Sequence, residues 1–153
     1  MAVPALRSLP PMVPLTIERV DPNRMKTMAA LLRDPYPIHW DPESVQDDLH
    51  RGRTVNQGPL NLAYIANMLM DWAGEGAIRR LTAEFHAHVM AGDSVTASGS
   101  VDEVVVIDGE TRARCSVRLV RGDDVVVTGT AEVAFGASPE APRSPTPVEE
   151  GSP

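Results

Sequence analysis

The sequence has little of three things: cysteine, aromatic residues and basic residues. Cys115 is the single cysteine, and 153 residues contain only two Trp, two Tyr and two Phe. One cysteine excludes an internal disulfide, and no group of Cys and His has the spacing of a zinc site, so we expect no metal and no other cofactor. With so few aromatic rings, the hydrophobic core must consist mainly of aliphatic side chains.

Lys and Arg number 14 against 21 Asp and Glu, which gives a formal net charge of −7. This charge argues against a nucleic-acid partner, because phosphate binding requires clustered basic side chains. No apolar run approaches the roughly 20 residues of a transmembrane helix. Prolines interrupt the N-terminus where a signal peptide needs a continuous apolar stretch. We therefore expect a cytoplasmic protein with no membrane partner.

The length of the chain suits one domain with one core. We expect a flexible N-terminal arm over residues 1–12, a folded domain over 13–135 and a disordered tail over 136–153. The tail is rich in Pro, Ser and Glu and has almost no large apolar side chains. It therefore cannot bury enough surface to offset the entropy that ordering would cost.

Three stretches begin with the residue pattern of a helix start. Asp21-Pro22 supplies an N-cap acceptor and a proline at the first helical position, and the apolar spacing that follows predicts a helix that ends at Arg33. Asp41-Pro42 repeats the pattern and predicts a short polar helix to about Leu49. The longest predicted helix, Gly58–Ala73, is apolar on nearly every side, which indicates a buried helix.

The C-terminal half alternates between apolar and polar residues with a period of two. Four segments alternate in this way, namely 81–88, 95–102, 112–119 and 125–133, and residues 13–20 are a weaker candidate for a first strand. The pattern predicts an antiparallel sheet of about five strands with one buried face. Cys115 falls on the apolar face, whereas His86 and His88 fall on the polar face. Such a sheet around the buried helix gives an α+β fold.

The stretch 33–41 carries the residues best suited to chemistry, because it places Asp34 and His39 five positions apart. Pro35 and Pro37 restrict the backbone between them, so we expect a stiff extended turn. An Asp and a His held in place are the minimum for acid–base chemistry near neutral pH. On spacing alone, an ordinary surface turn is the commoner explanation of the same residues.

The run Asp34-x-Tyr36-Pro37-Ile38-His39 resembles the Asp-x-Asn-Pro-Ile-His signature of the MaoC-like (R)-specific enoyl-thioester hydratases and dehydratases. Asp, Pro, Ile and His match in register, whereas Tyr36 stands where Asn is usual and Arg33 stands where Gly is usual. The resemblance implies the hotdog fold, in which an antiparallel sheet wraps around a long helix. The hydrophobic periodicity predicts the same architecture without the motif.

The resemblance also implies roles for three residues. Asp34 would act as the general base on the water that attacks C3 of the acyl chain. His39 would orient that water and help deliver a proton to C2. The backbone amide of Gly58 would bind the thioester carbonyl oxygen, and the N-terminus of any helix favours an anion. A helix start without any function explains Gly58 equally well.

Four further residues are candidates for substrate binding: Tyr36, Asn56, Gln57 and Asn61. Tyr36 either lines the acyl pocket or packs at a dimer seam. Gln57 stands where many relatives have His, which changes the local hydrogen bonds and leaves the neighbouring glycine amide intact. Asn56 and Asn61 flank the helix start and either face the substrate or cap the local backbone.

We therefore expect a hydratase or dehydratase that acts on an α,β-unsaturated or 3-hydroxy acyl thioester of CoA or an acyl carrier protein. Three alternatives stay open, namely a hotdog thioesterase, an enzyme that adds a nucleophile other than water to the enoyl thioester, and a non-catalytic partner subunit of a hydratase. A curled sheet has free edges, and the family joins two sheets edge to edge. We therefore expect a homodimer or a heterodimer with a related hotdog chain.

Overall fold

The computed structural model describes residues 9–135. The predicted tail over 136–153 and most of the predicted arm over 1–12 lie outside these residues. The elements within the described range are, in chain order, β1 (Leu15–Ile17), α1 (Pro22–Leu32), α2 (Gly58–Ala73), β2 (Ile78–Phe85), β3 (Val95–Ile107), β4 (Glu110–Arg121) and β5 (Asp124–Phe135). Among residues 9–135, no helix is long and apolar enough to cross a membrane.

The strands form one five-stranded antiparallel sheet with the order β1-β3-β4-β5-β2. The three central strands pair along most of their length, whereas β1 and β2 are the edges. Helix α2 packs against the sheet and contacts all five of its strands. This arrangement confirms the predicted α+β fold with a long helix held against an antiparallel sheet.

Helix α2 has the predicted bounds and supplies the centre of the core. Its buried apolar residues recur at helical spacing, and they are Leu60, Tyr64, Ile65, Met68 and Leu69. The opposite face is more exposed than predicted, since Asn67 and Asp71 are open to solvent. Cys115 lies in the same core, as predicted, and burial raises the pKa of its thiol to about 11. The thiol therefore stays protonated at neutral pH and acts as a small apolar side chain.

Strand β5 departs from the predicted alternation near its start. Val125 is 40% exposed and Val126 is fully buried, which reverses the predicted faces of these two residues. The cause is a register shift in the β4–β5 ladder, where Leu119 pairs with Val127 and Val120 pairs with Val125. Val126 is left unpaired at this bulge, and such an extra residue interrupts the alternation, so that Val125 is exposed although Val127 is buried.

One strand is shorter than predicted and another is shifted toward the N-terminus. The first strand covers Leu15–Ile17 only. Strand β2 ends at Phe85, so His86 and His88 lie in the loop that follows it and not on its polar face. The N–H of His86 still donates to the carbonyl of Val126 at 3.0 Å, and Met90 forms an isolated bridge with Val55. The sequence prediction for the two histidines was therefore wrong in its element, although both side chains are exposed as expected.

The short polar helix predicted after Asp41 is a single 3₁₀ turn, Pro42–Val45. Asp47 explains why the helix does not continue. Its Oδ1 accepts the backbone N–H groups of Leu49 and His50, each at 2.9 Å. A side-chain acceptor of this kind competes with the helical hydrogen bonds of the same residues.

Candidate active site

Helix α1 ends in a left-handed turn that places Asp34 at its C-terminus. Arg33 has φ 53° and ψ 40°, a conformation that glycine adopts most readily. The N–H of Asp34 donates to the carbonyl of Ala29 at 2.9 Å, and the N–H of Arg33 donates to the carbonyl of Ala30 at 3.2 Å. These bonds satisfy carbonyls of the last helical turn and fix the direction in which the chain leaves the helix.

Local hydrogen bonds then hold the turn that carries the acid–base residues. Asp34 Oδ1 accepts the backbone N–H of Tyr36 at 3.1 Å, which is an Asx turn. Pro37–His39 form a 3₁₀ turn, which the N–H of Trp40 closes on the carbonyl of Pro37 at 3.0 Å. The indole of Trp40 also donates to the carbonyl of Pro35 at 3.3 Å. These hydrogen bonds hold the turn, which is extended at Tyr36 and 3₁₀-helical over Pro37–His39, so it is not extended throughout as predicted. Asp34 Oδ2 takes no part in these bonds.

Asp34 and His39 lie side by side. Asp34 Oδ2 is 3.6 Å from His39 Nε2. His39 Nδ1 is 2.7 Å from the carbonyl oxygen of Val55, and because a carbonyl only accepts, Nδ1 carries the hydrogen. In the neutral imidazole, Nε2 is then an acceptor. A water between Oδ2 and Nε2 donates one hydrogen to each, so the pair is suited to hold and deprotonate one water.

Asp34 and His39 line two different hollows. One is a cavity of about 190 Å³ to which His39, Gly58, Asn61, Phe85 and His88 contribute. The other is a more open groove of about 660 Å³, and it is lined by Lys26, Ala29, Ala30, Arg33, Asp34, Pro35 and Trp40. His39 and Gly58 therefore line one cavity, whereas Asp34 lines the groove and lies 3.6 Å from His39.

The start of helix α2 forms part of the cavity wall at Gly58. The first amides of a helix have no carbonyl partner within the helix, and Pro59 has no N–H, so the Gly58 N–H is the natural donor at this point. A side chain here would narrow the cavity, because a Cβ on Gly58 would lie 3.3 Å from Cζ of Phe85. The half-exposed ring of Phe85 thus packs directly on the glycine.

Asn56 and Asn61 form a buried amide pair beside Gly58. Asn56 Nδ2 donates to Asn61 Oδ1 at 2.6 Å, and the Asn56 backbone N–H donates to the carbonyl of Val89 at 2.7 Å. Both asparagines line the cavity. Since the oxygen of Asn61 is occupied, its Nδ2 is the group of the pair that is free to donate to a ligand.

Gln57 and Tyr36 do not line the cavity. Gln57 is fully buried, and its Nε2 donates to the carbonyl of Met25 at 2.9 Å. It therefore fastens helix α1 to the start of helix α2. Tyr36 is 58% exposed, and its ring stands edge-on to the His39 ring with centroids 6.1 Å apart.

Several residues of the cavity wall were not predicted as part of the site, and His88 is the one among them with a titratable side chain. His88 lines the cavity with His39 and Gly58, and its ring bonds to the ring of His50. The sequence indicated only that His88 is polar and exposed, because the contact with His50 spans 38 positions and has no local signal. Within residues 9–135, no group of three or more His, Cys, Asp or Glu side chains is placed to hold a metal ion.

The family of the chain follows from comparison with known proteins. Residues 8–121, well over half of the chain, match the family model described as MaoC like domain. No curated protein sequence matches the chain. All three of the residues predicted as catalytic lie within the matched range.

Solved structures share the fold. The chain is similar to the unliganded R-hydratase PhaJ1 from Pseudomonas aeruginosa, with a TM-score of 0.71 at 21% identity over 85% of this chain and 84% of that one. It is similar to an (R)-hydratase from A. caviae involved in PHA biosynthesis, with a TM-score of 0.69 at 25% identity over 84% and 98% of the two chains.

A third similar structure is the ChsH1–ChsH2 complex from Mycobacterium tuberculosis. The TM-score is 0.66 at 23% identity over 83% of this chain and 94% of that one. These folds agree with the antiparallel sheet and the buried helix α2. The chain belongs to the MaoC-like domain family.

Proposed function

We propose that the protein adds water to an α,β-unsaturated acyl thioester, or removes it from a 3-hydroxyacyl thioester, carried on CoA or an acyl carrier protein. The observation that carries this proposal is the 3.6 Å approach of Asp34 Oδ2 to His39 Nε2 beside the cavity that Gly58 lines. The similarity to two structures described as R-hydratases supports it.

In hydration, Asp34 acts as the general base. It takes a proton from the water while the water oxygen bonds to C3 of the enoyl group. His39 holds the same water through Nε2, since its Nδ1 hydrogen is engaged with the carbonyl of Val55. In dehydration, the same groups bind the leaving water and return the proton.

The start of helix α2 binds the thioester. As the water attacks C3, negative charge develops on the carbonyl oxygen, and the Gly58 amide donates to it with the helix dipole aligned. Asn61 Nδ2 is a second donor in the same wall, and Asn56 holds the Asn61 amide in the orientation that this requires. Gln57 acts indirectly by joining helix α1 to this wall, and Tyr36 borders the site beside His39.

We infer that the working form is a dimer, either of two copies or of this chain with a related hotdog chain. The edge strand β2 and the half-exposed ring of Phe85 at its end leave the cavity open at the sheet edge. An exposed edge favours pairing with another strand. One similar structure, ChsH1–ChsH2, is itself a complex of two proteins. Sedimentation at micromolar concentration tests the inference, and a stable monomer that is fully active contradicts it.

An assay with crotonyl-CoA and longer enoyl-CoAs tests the function. The proposal expects loss of enoyl absorbance and formation of the hydroxyacyl thioester. Free CoA and free acid as the products would instead indicate a thioesterase. The absence of turnover on CoA and carrier-protein thioesters, for a correctly folded dimer, would place the chain among non-catalytic partner subunits.

A further inference from the structure

Three side chains outside the Asp34–His39 pair form an unbroken hydrogen-bonded chain. Asp47 Oδ1 and Oδ2 lie 2.9 and 2.8 Å from His50 Nδ1. His50 Nε2 lies 3.0 Å from His88 Nδ1. The two imidazole rings lie side by side, with centroids 5.3 Å apart and an interplanar angle of 24°. His88, the last member, lines the cavity that His39 and Gly58 share.

The loop that carries His88 is fixed on both sides. The carbonyl of His88 accepts from Arg121 Nη1 at 2.6 Å. The carbonyl of the next residue, Val89, accepts the backbone N–H of Asn56 at 2.7 Å. A side chain on so well-anchored a loop keeps its position, which proton transfer requires.

The hydrogen bonds determine where the protons lie. The bond from His50 holds the pKa of the Asp47 carboxyl below its usual value, so at neutral pH Asp47 only accepts, and His50 Nδ1 carries a hydrogen. When His50 is neutral, its Nε2 accepts from His88 Nδ1, and His88 Nε2 is a base. When His50 is protonated, its Nε2 donates to His88 Nδ1, and His88 Nε2 is an acid.

We propose that His88 is a second proton-transfer residue of the cavity, which acts at C2 of the acyl thioester while Asp34 acts on the water, and that His50 and Asp47 set its protonation. This inference rests on the proposed function. It gives the two proton transfers of hydration to two separate groups and leaves His39 the task of orienting the water.

The protons and electrons balance over one turnover. The water oxygen bonds to C3, its proton passes to Asp34, and the C2–C3 π electrons form an enolate at the thioester oxygen. C2 then takes the Nε2 proton of His88, and His88 Nδ1 takes the proton of His50 Nε2. Asp34 finally releases its proton to solvent, a solvent proton binds His88 Nε2, and the His88 Nδ1 proton returns to His50 Nε2, so water is the only net reactant. Solvent reaches His88 directly, because His88 is exposed.

Exchange of the C2 hydrogens of butyryl-CoA in D₂O tests the proposal, because this thioester has no hydroxyl to lose. If two separate groups carry out the two proton transfers, Asp34→Asn keeps the exchange rate of the parent, whereas His88→Gln lowers it by about 100-fold or more. His50→Gln and Asp47→Asn lower it to a smaller extent. His86→Gln is the matched control, since His86 bonds to the Thr128 hydroxyl at 2.7 Å and does not line the cavity.

Hydration of crotonyl-CoA by the parent protein separates failure of this inference from failure of the proposed function. If the parent hydrates the substrate and His88→Gln does so within about threefold of it, the inference is wrong, whatever the exchange experiment gives. Loss of exchange in Asp34→Asn together with normal exchange in His88→Gln overturns it as well.

Nitrogen NMR of the histidine rings supplies a readout that needs no substrate. With both rings neutral, His88 is expected as the Nδ1–H tautomer in the parent and as a mixture of tautomers in His50→Gln. An Nε2–H tautomer of His88 in the neutral parent contradicts the hydrogen-bond chain on which the inference depends.

Discussion

The central strands β3, β4 and β5 and the segment 33–57 are held together in different ways. The strands pair over long ladders and bury an almost wholly aliphatic face against helix α2. The segment contains two single turns of 3₁₀ helix, and a few polar contacts hold it in place. Among these are the bonds from His39 to Val55 and from Gln57 to Met25.

This difference separates stability from chemistry. Burial of aliphatic area is strong and tolerates small shifts, whereas a hydrogen bond between two segments is worth about 1 kcal/mol net but fixes a geometry. The proposed acid–base pair lies wholly in the polar segment. We therefore expect substitutions in the sheet to change mainly the free energy of unfolding, and substitutions in the segment to change mainly the rate.

Leu119→Ala is the sharpest change within the sheet. Leu119 is fully buried on β4 in the core against helix α2. Removing its methyl groups leaves a cavity, so the free energy of unfolding should fall by about 2–5 kcal/mol, measured by chemical denaturation. The kcat of the remaining folded protein should stay within about threefold of the parent value. A kcat loss as large as that of an Asp34 variant would break the separation of the two regions.

Asp34→Asn and His39→Ala are the corresponding changes in the segment. Acid–base groups contribute about 100- to 10,000-fold, so each variant should lose at least about 100-fold in kcat, and the double variant should be little worse. The free energy of unfolding should change little for Asp34→Asn, because Asp34 is only partly buried, and should fall by about 1 kcal/mol for His39→Ala, because the bond to the Val55 carbonyl is lost. Asp48→Asn, at an exposed position of the same segment, is the control and should keep full activity. Near-normal hydration by both single variants would reject the assignment.

Gln57→Leu tests the contact that joins the segment to helix α1. The lost bond to the Met25 carbonyl costs about 1 kcal/mol, but the substitution also removes the buried Oε1, which has no hydrogen-bond partner, so the net change in stability should be small. The kcat should nevertheless fall, because the bond that holds helix α1, and with it Asp34, against the start of helix α2 at Gly58 is lost. Gln46→Leu removes a similar but exposed bond to the Pro42 carbonyl and should leave kcat unchanged.

The elements that were predicted well have their signals close together in sequence. Helix α2 begins at Gly58 and stops before Gly74 as expected, because proline and glycine act on their own backbone and its neighbours. Helix α1 likewise has the expected cap, since Asp21 accepts the N–H of Asn23 at 2.8 Å. The Asp34–His39 approach was predictable for the same reason, because two prolines restrict the few bonds between them.

The features that were missed depend on distant partners. The bulge that buries Val126 exists only in the pairing of β4 with β5. Gln57 bonds to Met25, which is 32 positions away in the sequence, and His50 bonds to His88, which is 38 positions away. No local sequence pattern indicates such a contact, because the two partners are far apart along the chain. The contribution of His88 to the cavity therefore follows from the folded structure and not from the sequence.

Arg33→Gly is expected to have the smallest effect, and its sign is opposite to the others. Arg33 and Arg51 both lie in the segment 33–57 with positive φ, 53° and 52°. A left-handed conformation costs a side chain about 1–2 kcal/mol, and glycine escapes this cost. Glycine also makes the unfolded chain more flexible, which removes about 0.4–1 kcal/mol of the gain.

The net expectation is a stabilisation of about 0.5–1 kcal/mol for Arg33→Gly, seen as a higher midpoint of denaturation. Arg51→Gly is the matched control, because it relieves the same strain but does not line the groove beside Asp34. If both variants gain stability and only Arg33→Gly raises KM, the Arg33 side chain serves the substrate. If Arg33→Gly is less stable than the parent while Arg51→Gly is more stable, then contacts of the Arg33 side chain hold the turn, and the polar segment is more strongly stabilised than we infer.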